Sequence, residues 1–151
     1  MKNYIMMLLV LSIAGCESKK NSDGGSSDST NVAELTVQEI EGEVFFISPT
    51  EGDTVGTNLS IKMGVKGMEI EPAGMVNEGK GHHHLIINGS YVEKGVIVPA
   101  DSTHIHYGKG QTEAEVQLGA GTHTLTLQFA DGVHASYGEK WSKTITVYVN
   151  E

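Results

Sequence analysis

From position 43 onward, apolar residues recur at alternate positions in short runs bounded by glycine, proline and asparagine. That period of two is the signature of half-buried strands. Leu59, Ile61, Met63 and Val65 alternate with Ser60, Lys62, Gly64 and Lys66. Ala114, Val116 and Leu118 alternate with Glu113, Glu115 and Gln117, and Leu125, Leu127 and Phe129 with Thr124, Thr126 and Gln128. Glu43 to Ser48, stopped by Pro49, predicts a first strand, and Ile145, Val147 and Val149 a last one. Leu85-Ile86-Ile87 runs into Asn88-Gly89, a strong hairpin signal that predicts a returning strand over Tyr91 to Val98. His104 to Tyr107 reads as a short extended piece, and residues 67–81, with four glycines and a proline, as a loop. No apolar 3.6-residue period survives the glycine spacing. The pattern predicts an all-β domain over 43–151, an immunoglobulin-like or fibronectin-like sandwich of about seven to eight strands.

The first 42 residues read differently. Lys2 precedes an apolar run from Tyr4 to Leu11, too short to span a bilayer, followed by Ile13-Ala14-Gly15-Cys16. Small residues directly before a lone cysteine resemble a bacterial lipobox. Residues 1–15 are then a lipoprotein signal peptide, and Cys16 is the lipid-bearing N-terminus of the mature chain. Glu17 in place of Asp favours the outer over the inner membrane. Residues 16–42, rich in Ser, Asp and Gly, predict a flexible tether. The expected location is extracytoplasmic, with membrane contact through the lipid.

Charge narrows the function classes. The formal net charge is -9, and all ten basic residues are Lys. Such a chain repels phosphate backbones, which argues against nucleic acid as a partner. Without Arg there is no bidentate clamp for phosphate or carboxylate. One cysteine excludes an internal disulfide and a cysteine-rich zinc site. No Gly-x-Ser-x-Gly elbow and no phosphate loop is present, and no catalytic residue is assigned.

Seven histidines are the unusual feature. Residues two apart in a strand share a face, so His82 and His84 point one way and His83 the other. His104 and His106 repeat the arrangement. Two such pairs on neighbouring strands can converge imidazoles on one ion. Imidazole suits copper, zinc, nickel and iron, and an oxygen-poor set excludes calcium and magnesium. His134, after Asp131-Gly132-Val133, can reach the same edge. His123 is in phase with Leu125 and reads as a partly buried histidine bonded to backbone. Met68 and Met75 are possible auxiliary ligands, thioether being suited to Cu(I). The expected cofactor is a transition metal, copper favoured over zinc, held by His82, His84, His104, His106 and His134. The other reading is a metal-free adhesion or scaffold module contacting protein or glycan through its His-rich loops.

Several stretches together carry a family resemblance: Val44-Phe45-Phe46-Ile47-Ser48-Pro49, Val65-Lys66-Gly67-Met68, Pro72-Ala73-Gly74, Gly81-His82-His83-His84-Leu85-Ile86, His106-Tyr107-Gly108-Lys109-Gly110-Gln111-Thr112-Glu113 and Gly121-Thr122-His123-Thr124-Leu125. In this order they resemble the bacterial domain of unknown function 4399. The resemblance implies a small extracytoplasmic β domain, often secreted or lipid-anchored, and supplies no reaction. It implies histidines at positions 82, 84, 106, 123 and 134, with His104 less typical. A set of His82, His84, His106 and His134 is then as good a candidate as the two equal pairs.

Overall fold

The computed structural model describes residues 40–151; the predicted signal peptide, Cys16 and most of the predicted tether lie outside them. The described residues form nine strands and one turn of 3₁₀ helix, Glu139–Trp141. The strands are β1 (Glu43–Ser48), β2 (Thr54–Gly56), β3 (Asn58–Lys66), β4 (Glu69–Ile70), β5 (Lys80–Ile87), β6 (His104–His106), β7 (Glu113–Gln117), β8 (Gly121–Ala130) and β9 (Ser142–Asn150). One sheet has the order β1-β3-β7. The other runs β2-β9-β8-β5-β4, with β6 also pairing β5. The all-β expectation holds, with two sheets packed as a sandwich.

The core lies between the sheets. Leu59, Ile61, Met63 and Val116 come from one, and Leu85, Leu125, Leu127, Phe129, Ile145 and Val147 from the other. Each fully buried aliphatic or phenyl side chain contributes about 1.5–3 kcal/mol. Ile40 packs against this core before β1 begins, so the ordered body extends into the segment predicted as tether.

The predicted hairpin strand over Tyr91 to Val98 does not form. Residues of this stretch make other partners. The Val92 N–H donates to Gln128 Oε1 at 3.0 Å, and the Val92 carbonyl accepts from Ser136 Oγ at 2.7 Å. Further on, Ile97 bridges Ala135. The segment therefore lies over the outer face of the six-stranded sheet. Gln128 anchors it: its Nε2 also donates to the carbonyls of Gly138 and Trp141, at 3.1 Å each. This cover explains why β5 is buried from Gly81 to Ile86, on both faces.

Candidate metal centre

Strand register builds most of the site. In the β5–β8 ladder His82 stands opposite Ala130 and His84 opposite Gln128. In the β5–β6 ladder His84 stands opposite His106. Opposed residues share a face, so His82, His84 and His106 meet on the outer face. His134 joins them from the loop between β8 and the 3₁₀ turn. Its φ of 71° is left-handed, a conformation that costs a residue with a Cβ about 1–2 kcal/mol.

Four ring nitrogens converge. His82 Nε2 lies 3.1 Å from His84 Nε2, from His106 Nε2 and from His134 Nδ1. One ligand atom from each of the four residues lies within 4.8 Å of the others. An imidazole nitrogen offers one in-plane position, either a proton or a lone pair. Three neighbours at equal distance therefore cannot all make good hydrogen bonds to His82 Nε2. A cation between the rings satisfies all four lone pairs together. A tetrahedral ion with bonds of about 2.0–2.1 Å separates its nitrogens by about 3.3–3.4 Å. A square-planar ion with bonds of the same length separates neighbouring nitrogens by about 2.9 Å and opposite ones by about 4.1 Å. The 3.1 Å contacts of His82 Nε2 are close to both spacings, and all four donor atoms lie within 4.8 Å of one another. The group can hold a metal ion.

The electrostatics keep the donors ready. Burial pushes His82 down to about 4, helped by His106 and His134 and opposed by Asp131. Burial, and then the neighbouring imidazoles, push His84 down to about 3. His106 is lowered by burial and by His134. His82, His84 and His106 are therefore neutral at pH 7 and present lone pairs rather than protons. His82 and His84 are buried, whereas His106 and His134 form the open edge of the group. Nδ1 of His82 and of His84 has no hydrogen-bond partner among the described residues. Packing of the rings, with the His82 and His84 centroids 4.8 Å apart, orients them instead of a carboxylate.

His104, the fifth histidine of the expected set, stands outside this group of four. It shares the face of His106 but lies opposite Ile86, two residues further from His82. Its Nδ1 is bonded to Asp101 Oδ1 at 2.8 Å. Met68 packs against the core, and Met75 is 79% exposed. His83 points into the core as alternation predicts, its ring 5.1 Å from Phe129. It is buried, neither ring nitrogen has a hydrogen-bond partner among the described residues, and burial pushes it down to about 4. His123 is half-buried; its Nε2–H donates to the Gly119 carbonyl at 2.9 Å and its Nδ1 accepts from Asn88 at 3.1 Å.

Two supporting residues were not assigned from sequence. Gly108 leaves room for the His106 ring, which occupies the space a Cβ would take. Asp131 Oδ1 accepts the N–H groups of Val133 and Ala135, both at 2.9 Å, closing the turn that carries His134. Asp-Gly before a histidine is a turn signal. It carries no sign that the turn faces a strand 50 residues earlier.

No curated protein and no solved structure matches the chain. Residues 61–150, which include all four histidines of the group, match the family described as a domain of unknown function, DUF4399. The chain belongs to that family.

Proposed function

We propose that this domain binds one transition-metal ion through His82, His84, His106 and His134, and that it stores or hands on the ion outside the cytoplasm. The observation that carries the reading is the convergence of four ring nitrogens that hydrogen bonding cannot satisfy. Copper is favoured over zinc. The donor set is all nitrogen, and divalent copper binds such sets most tightly of the first-row ions. Two further features support storage or transfer. The open edge at His106 and His134 gives the ion a way in and out. The buried pair His82 and His84 lacks the carboxylate support that stiffens permanent sites. Anchoring through a lipid on Cys16 belongs to the same proposal, on the motif Ile13-Ala14-Gly15-Cys16.

Metal analysis after controlled loading with Cu(II) and Zn(II) tests the reading. One ion per chain, lost when His82 and His84 are both replaced, is the expected result. Absence of saturable binding tighter than about micromolar sinks the metal site and leaves the adhesion or scaffold reading in front. For the anchor, Cys16→Ala is expected to release the protein from membranes or leave its precursor uncut. A matured, membrane-bound Cys16→Ala protein removes it.

A further inference from the structure

We infer that Asp131 is the latch of the metal centre: its carboxylate holds the turn that presents His134, and His134 is the ligand whose departure lets the ion go. The inference rests on the metal-binding reading above. It starts from an asymmetry among the four ligands. His82, His84 and His106 sit on strands whose register is fixed by the β5–β8 and β5–β6 ladders. His134 alone comes from a loop. It also presents Nδ1, whereas the other three present Nε2. Nδ1 is bonded to the same ring carbon as Cβ, so its position follows the backbone closely. A change of φ at residue 134 carries Nδ1 with it, where a distal Nε2 would leave room for the ring to compensate.

That backbone is in the left-handed region, φ 71°, and stays there only if its surroundings hold it. Asp131 supplies much of the hold. Its Oδ1 accepts from Val133 and Ala135, on either side of His134. Its carbonyl accepts the His134 N–H at 3.0 Å, and its own N–H donates to the Ala135 carbonyl at 3.0 Å. Two neighbouring segments brace the turn. The Val98 N–H donates to the His134 carbonyl at 2.9 Å, and the Gly74 N–H donates to the Gly132 carbonyl at 2.8 Å. Removing the Asp131 carboxylate strips both side-chain bonds from the residues flanking His134 and leaves the strands carrying the other ligands untouched. The latch acts through an acceptor atom, so a neutral amide with the same oxygen serves as well.

The test compares wild type, Asp131→Ala and Asp131→Asn, each loaded with Cu(II), by the rate of copper release to excess EDTA and by nitrogen hyperfine structure in the electron paramagnetic resonance spectrum. Asp131→Ala is expected to release copper at least about tenfold faster, a difference of about 1.4 kcal/mol, and to show three coupled nitrogens in place of four. Asp131→Asn is expected to match wild type in both. Melts of the three metal-free proteins should agree within a few degrees, which separates a latch from a general loss of stability. Equal release from Ala and wild type overturns the latch while leaving the metal site standing. An Asn variant as fast as Ala also overturns it, because charge rather than the acceptor then matters. Failure of wild type to take up copper overturns both readings.

Discussion

The imidazole of His106 occupies the space in which residue 108 would carry a Cβ, and residue 108 is glycine. The ring can lie over β5 toward His82 only because that side chain is missing. Gly108→Ala is therefore expected to push the ring away from His82 Nε2 and to weaken metal binding by at least about tenfold, or 1.4 kcal/mol. The metal-free fold should hardly change, since Gly108 lies outside the strands. Competition titration against a chelator of known affinity measures the loss, and unchanged affinity contradicts the geometry.

His83 has the opposite character. It is buried beside Phe129 with neither ring nitrogen partnered among the described residues, and a buried polar group left unsatisfied costs about 1–3 kcal/mol. His83→Leu removes that burden while keeping an apolar contact. The variant is expected to melt about 4–8 °C higher for each kcal/mol gained in a domain of this size. Metal affinity should stay as in wild type, because the ring faces away from the group. A lower melting temperature, or lost metal binding, contradicts this assignment.

Metal-free stability should depend on pH in a definite direction. In the unfolded chain the rings of His82, His83 and His84 titrate near 6.5; in the folded protein they are held at about 4, 4 and 3. Between those values the unfolded state binds more protons, so stability is fully present above about 6.5 and is lost as pH falls. Each ring contributes up to about 1.4 kcal/mol per pH unit in that window. Denaturant melts between pH 7.5 and 4.5 are expected to show a plateau, then a steep decline, shallower in His83→Leu. A flat profile contradicts the burial of these rings as neutral species.

The distinction between His104 and His106 gives a further check. Both lie on β6, but only His106 is in the group. His104→Ala should leave metal affinity within about twofold of wild type, as expected for a site outside the group. His106→Ala should abolish tight binding. Equal losses would return His104 to the ligand set.

The sequence made some of this legible and not the rest, for physical reasons. β3 and β9 were readable because one face of each is wet, so alternation survives in residue type: Leu59, Ile61 and Met63 are buried while Ser60 and Lys62 are exposed. β5 is buried on both faces. There alternation could say that His82 and His84 share a face, but not that the outer face is covered. The cover comes from residues 91–98, which have the composition of a hairpin strand and follow Asn88-Gly89. Their partners, Gln128 and Ser136, are distant in sequence, and tertiary bonding overrides the local signal. The two His-x-His pairs looked equivalent because spacing carries no register. Pairing His84 with His106 fixes the register and leaves His104 beside Ile86. His134 was within reach as a candidate, but its role depends on a turn held by Asp131, which no period announces.

The four histidines are expected to act as one site. Isothermal titration of the purified metal-free protein with Cu(II) and with Zn(II), run on wild type and on the single alanine variants of His82, His84, His106 and His134, tests it most directly. One ion per chain, Cu(II) tighter than Zn(II), and a large loss of affinity in each of the four variants are the expected results. Absence of saturable one-to-one binding, or a variant of any of the four that binds as wild type does, would contradict it.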